Sequence, residues 1–165
     1  MSATERPPLD AEELLRRLTR RGVDFVVIGG IAAVLHGSAR ATFDLDIAFA
    51  PDRPNLDALG SLLTELRAKL KGVAEDVLFV PDASTLRRMA VLTMTTPLGE
   101  LDAMARPAGA PAYGTLRRRA ERYDLGDFTV PVASLEDLIA MKRAAGRRKD
   151  LADVDELEAI LRLRG

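Results

Sequence analysis

The chain is 165 residues long, 47% hydrophobic and 30% charged, and its 24 basic and 25 acidic side chains leave a net charge of −1. That length suits one domain whose core needs no covalent staples, and near-neutrality gives no electrostatic reason by itself to expect a nucleic-acid partner. With no cysteine and a single histidine, His36, disulfide frameworks, thiol nucleophiles, thiolate zinc sites and multi-histidine centres are excluded, so a metal would be held by carboxylates, which favour hard cations such as magnesium or manganese.

Taken in chain order, Asp10 can cap a helix running to about Arg21, with Leu14, Leu15 and Leu18 on one face. Gly22 ends it, and Asp24 to Ile28 is an apolar run expected of an interior strand. Gly29-Gly30 breaks that strand, and Ile31 to His36 can form a helix that stops at Gly37-Ser38. Phe43 to Ala50 is the next strand, closed by Pro51. Helical periodicity covers Leu56 to Leu70, followed by a short strand at Val77 to Val80 and a short helix at Ser84 to Met89. Val91 to Thr95 and Glu100 to Met104 form a hairpin across Pro97-Leu98-Gly99. Residues 107–114 are a Pro-, Gly- and Ala-rich loop. A basic helix at 114–122 leads to an extended Phe128 to Val132 and two helices near 134–145 and 150–163.

No apolar run reaches the roughly 18 residues of a membrane span, and Met1 to Pro8 lacks the order of a signal peptide, so a cytoplasmic protein is expected. Nothing divides the chain: residues 1–165 are one α/β domain with a small mixed sheet flanked by helices, a core at about 23–132 and C-terminal helices at about 134–163. Three basic groups (Arg16, Arg17, Arg20, Arg21; Arg117, Arg118, Arg119, Arg122; Lys142 to Lys149) read as solvated helix faces.

One constellation carries chemistry. Asp44 and Asp46 are two apart on a strand, so both carboxylates point to one face about 7 Å apart along the chain. Unpaired, they would repel each other, and a divalent cation resolves that conflict. Upstream, Gly29-Gly30 at a strand end lets backbone N–H groups approach a phosphate beside a helix N-terminus. Ser38, Arg40 and Thr42, on the segment feeding the acidic strand, can add donors.

Together, Ile28-Gly29-Gly30, 13 intervening residues and Asp44-Leu45-Asp46-Ile47 resemble the signature of the polymerase-β-type nucleotidyltransferase superfamily. The resemblance implies a nucleotidyltransferase fold and a third carboxylate on a neighbouring strand, which completes a metal site and helps deprotonate the acceptor. Asp102 is the candidate, and Glu100 on the same face competes with it. Ser134 and Asp137 form a capping box for a helix whose apolar stripe, Leu135, Leu138 and Ile139, continues to Lys142. A lysine on an inward stripe must meet an anion, because a buried unpaired ammonium is costly. The triphosphate or the carboxylate cluster would serve.

The stretch Ala133 to Lys142, followed by Gly146-Arg147-Arg148-Lys149-Asp150-Leu151-Ala152-Asp153, together with Gly37-Ser38-x-Arg40-x-Thr42 upstream, resembles small bacterial nucleotidyltransferases related to the AbiEii/AbiGii abortive-infection toxins. By that resemblance, Asp44, Asp46 and Asp102 hold magnesium or manganese. Gly29, Gly30, Ser38, Arg40, Thr42 and Lys142 bind the nucleotide, and Lys142 contacts the triphosphate. Arg147 and Asp150 support the site wall, although the reading that Asp150 is instead the N-cap of the last helix is the stronger one. The implied reaction moves a nucleoside monophosphate from a nucleoside triphosphate to a hydroxyl on RNA or tRNA, a protein or a small molecule, within a toxin–antitoxin setting. The competing reading is a catalytically weak or inactive antitoxin or interaction module with the same fold.

Overall fold

The computed structural model describes residues 6–74 and 77–165. Asp10 accepts a hydrogen bond from the Glu13 N–H and caps α1 (Ala11–Arg20), which buries Leu14, Leu15 and Leu18. β1 (Phe25–Ile28) is buried at all four positions, as expected of an interior strand. α2 (Gly29–His36) starts directly on the glycines rather than at Ile31, because Gly29 adopts a φ of +68° that turns the chain from strand into helix without a loop. β2 (Asp44–Phe49) carries the two acids.

The helix expected over 56–70 is displaced. Asp52 caps it by accepting from the Asn55 N–H and a proline sits in its first turn, so α3 is Arg53–Glu65. Beyond it Arg67 takes a positive φ, and β3 (Lys69–Leu70) pairs with the sheet. No strand forms at 77–80. There the Val77 N–H bonds to the Ala74 carbonyl, and the Pro81 carbonyl packs so tightly on α3 that a Cβ at Gly60 would stand 2.1 Å from it. Asp82 then caps α4 (Ala83–Arg88).

β4 (Val91–Thr96) and β5 (Gly99–Met104) form the expected hairpin. The basic helix is shorter than its sequence suggests: α5 (Tyr113–Arg119) ends where Glu121 begins β6 (Glu121–Asp124), which pairs antiparallel with β7 (Thr129–Val132). Pairing with β7 overrides local helix propensity here. Ser134 caps α6 (Leu135–Ala145) through the Asp137 N–H, Gly146 ends it in the left-handed region, and α7 (Arg148–Arg164) follows.

The seven strands form one mixed sheet in the order β3-β4-β5-β2-β1-β7-β6. β2 lies between β1, antiparallel, and β5, parallel. Leu45, Ile47, Leu92, Met94, Leu101 and Ala103 are fully buried on one face and share a core with the leucines of α1 and α3. Strand alternation therefore turns Asp44, Asp46, Glu100 and Asp102 to the other face. None of the described helices is long and apolar enough to cross a membrane. The basic groups are largely ion-paired within the chain: Arg16 and Arg17 with Glu13, Arg21 with Glu65, Arg117 with Asp24, Arg119 with Asp137, and Arg143 with Glu158.

Candidate active site

The register of the central strands assembles the acids. Asp46 is directly opposite Asp102 and Asp44 opposite Glu100 on the parallel pair β2–β5. One carboxylate oxygen each from Asp44, Asp46 and Asp102 lies within 4.8 Å of the others. Glu100 does not join them. It is buried and engaged with Lys71, at 3.1 Å, and Arg6, at 3.6 Å. Position thus separates Asp102, which joins Asp44 and Asp46, from Glu100, which pairs with Lys71.

Three half-buried carboxylates this close repel one another. Burial pushes the Asp46 carboxyl up to about 8, and the Asp44 and Asp102 charges add to the rise. Burial, followed by the charge of Asp44, lifts Asp102 to about 6. Asp102 Oδ1 is buried without a hydrogen-bond partner. An all-oxygen donor set with an orphaned buried oxygen suits a hard divalent cation, which would supply the missing counter-charge.

The glycines abut this cluster. A Cβ on Gly29 would stand 2.1 Å from Asp46 Oδ2, and one on Gly30 would stand 2.6 Å from Thr42 Oγ1. The start of α2 therefore lies directly against the acidic strand. Its first backbone N–H groups have no intrahelical acceptor, which gives the cluster's edge a partial positive charge. Thr42 Oγ1 donates to the Asp44 carbonyl at 3.2 Å and fixes the approach of the chain to β2.

The remaining residues singled out in the sequence converge on α7. Arg40 Nε is 2.9 Å from Asp153 Oδ1, Lys142 Nζ is 3.0 Å from Asp153 Oδ2 and 3.6 Å from Asp150, and Ser38 donates to Glu156. Lys142 thus meets its anion on α7 rather than in the Asp44–Asp46–Asp102 cluster, although its charge still lowers the Asp46 carboxyl. Asp150 is fully buried. It is not the N-cap of α7 but its third residue, accepting from the Arg147 N–H at 3.2 Å and from Arg147 Nε at 2.6 Å.

Two residues to which the sequence assigns no role take part in these contacts. Asp153, which ties Arg40 to Lys142, has no local signal beyond the acidic stretch that contains it. Lys71 directly follows the helix expected over 56–70, which gives no sign that the chain there joins the sheet. In the structure its N–H bonds to the Thr93 carbonyl, and it extends the cross-strand row Thr93–Asp102–Asp46 to the sheet edge.

A family profile described as "Nucleotidyl transferase AbiEii toxin, Type IV TA system" matches residues 13–162. The chain belongs to this family. Comparison with curated protein sequences returns no match. Among solved structures, the chain is similar to the lincomycin-bound lincosamide antibiotic adenylyltransferase LnuA, with a TM-score of 0.62 and 18% identity over 93% of this chain and 99% of that one. It is also similar to ANT(2'')-Ia in complex with adenylyl-2''-tobramycin, with a TM-score of 0.55 and 18% identity over 90% and 91% of the two chains. A nucleotidyltransferase-like protein from Paracoccidioides brasiliensis gives 0.52 and 20% identity over 94% and 78%. At these identities the likeness establishes the nucleotidyltransferase fold, and membership of the family establishes a nucleotidyltransferase.

Proposed function

We propose that the chain transfers a nucleoside monophosphate from a nucleoside triphosphate to a hydroxyl acceptor and releases pyrophosphate, as the toxin component of a toxin–antitoxin pair. The observation that carries this reading is the cluster of Asp44, Asp46 and Asp102 on two adjacent strands, directly against the helix start at Gly29-Gly30. In the reaction an acceptor oxygen forms a bond to the α-phosphorus, the bond from that phosphorus to the bridging oxygen breaks, and the acceptor's proton leaves.

Asp44, Asp46 and Asp102 would hold magnesium or manganese. A bound cation of this kind neutralises phosphate charge and polarises the phosphoryl oxygens. The chain's own groups account for the rest. Backbone N–H groups at Gly29 and Gly30 orient the phosphates. Asp102, on the side of the cluster away from α2, accepts the acceptor's proton. Ser38, Arg40, Thr42 and Lys142 line the nucleotide's path. For Ser38, Arg40 and Lys142, the α7 carboxylates hold the side chains in place until phosphate oxygens replace those carboxylates as partners.

The acceptor class includes an RNA or tRNA end, a protein side chain and a small molecule. The last gains support from the lincomycin and adenylyl-tobramycin named with two structural neighbours. A catalytically silent interaction module is the competing reading. Calorimetric titration of a nucleoside triphosphate with and without magnesium separates them. The transferase should show metal-dependent affinity that Asp44→Asn abolishes, and an interaction module should show none.

A further inference from the structure

The face that carries the acids has a second half, beyond Asp102. Two consecutive cross-strand rows cross it. One runs Lys71–Thr93–Asp102–Asp46 and the other Lys69–Thr95–Glu100–Asp44. Each row goes from a lysine at the sheet edge, through a threonine, to two acids. Because side chains opposite one another in a sheet share a face, both lysines and both threonines stand on the side of the triad away from Gly29-Gly30. The helix start occupies the nucleotide side, so this threonine–lysine floor is where the acceptor must lie.

Lys71 is fixed in that floor. Its Nζ is 3.1 Å from Glu100 Oε2, and Glu100 is buried, so the carboxylate anchors an ammonium whose side chain remains 35% exposed. One cation anchored by a buried acid, with Lys69 exposed in the neighbouring row and Arg6 beside Glu100, favours an acceptor bearing negative charge. A polycationic aminoglycoside would have to bring its ammonium groups against these three.

We propose that Lys71, held by Glu100 and flanked by Thr93 and Thr95, is the specificity-determining residue of the acceptor site and selects an acceptor with a phosphodiester beside the reacting hydroxyl. This rests on the transferase reading given above for the direction of approach, but binding of the acceptor chain can be measured separately from transfer.

The test is fluorescence anisotropy of a labelled single-stranded RNA decamer on the full chain in magnesium, across a salt series, with tobramycin as the cationic competitor. Lys71→Gln keeps a donor for Glu100 and removes only the charge. It should weaken RNA binding roughly five- to tenfold and lower the log–log salt slope by about 0.7, the share of one single-strand phosphate contact. Lys71→Arg should bind like the wild type, and tobramycin should not displace the RNA. Wild-type affinity and salt slope in Lys71→Gln would overturn the assignment, as would preferential binding of tobramycin by the wild type. Parallel titration with a magnesium–nucleoside triphosphate keeps the two claims apart: failure of nucleotide binding in the wild type counts against the transferase reading, whereas intact nucleotide binding with RNA binding insensitive to Lys71→Gln counts against the role of Lys71 alone.

Discussion

Gly29 has no room for a side chain because the Asp46 carboxylate stands where its Cβ would be, 2.1 Å from that position. The contact joins the two halves of the site, the helix start and the acidic strand. It also uses a φ of +68°, which L-residues other than glycine adopt at a cost of roughly 1–2 kcal/mol.

Gly29→Ala should therefore displace Asp46 as well as strain the backbone. The expected result is a melting temperature lowered by several degrees together with a much larger loss of magnesium-dependent nucleotide affinity, on the order of 10²-fold. Differential scanning fluorimetry and calorimetry on the same preparation check both. Nucleotide affinity falling no more than the stability loss explains would contradict the coupling.

The acids should make the metal-free protein less stable as pH rises. A carboxyl whose folded pKa is raised contributes stability that is complete below its unfolded value, near 4, and is lost as pH climbs through the folded value. With Asp102 lifted to about 6 and Asp46 to about 8, the window runs from about pH 4 to about pH 8. Melting temperature without metal should fall across that range, and Asp46→Asn should flatten the fall. Because a cation needs the deprotonated acids, magnesium should raise the melting temperature more at about pH 8 than at about pH 6. A magnesium effect that is equal at both would count against the cluster as the binding site.

Asp150 gives a structural prediction. It is fully buried, its carboxyl is held below the usual range first by its hydrogen bond from Arg147, and it also closes the first turn of α7. Asp150→Ala strands the Arg147 N–H and removes one of the two carboxylates beside Lys142, which should cost about 3 kcal/mol in urea unfolding. Asp150→Asn can still accept from the Arg147 N–H and should recover part of that loss. Equal losses in the two variants would show that the cap contributes nothing.

Much of this was legible in the sequence, for reasons that can be traced. Period-two spacing put Asp44 and Asp46 on one face, and the apolar run before Gly29 marked an interior strand. The family resemblance pointed to Asp102 on the second strand of the hairpin, and the parallel pairing of that strand with β2 sets it opposite Asp46. Where the reading failed, long-range pairing decided the outcome. Lys69 and Leu70 continue a helical pattern but are taken up by β4, and Glu121 and Arg122 leave a basic helix to pair with β7. The destination of Lys142 was partly legible: an inward stripe demands an anion, but only the packing of α7 on α6 shows that Asp153 and Asp150 supply it. Alternation places Glu100 and Asp102 on one face, and only the family resemblance favours Asp102 as the third acid. Lys71, arriving from a distant strand, claims Glu100 and leaves Asp102 to the cluster.

The central claim is that Asp44, Asp46 and Asp102 form one transferring site. The most direct measurement is transfer of radiolabel from an α-labelled nucleoside triphosphate to an RNA, protein or small-molecule acceptor in magnesium, in wild type and in Asp44→Asn and Asp102→Asn variants shown to melt like it. Labelled acceptor should form with the wild type and fall by on the order of 10²-fold or more in each variant. Undiminished labelling in Asp44→Asn or Asp102→Asn would contradict the account.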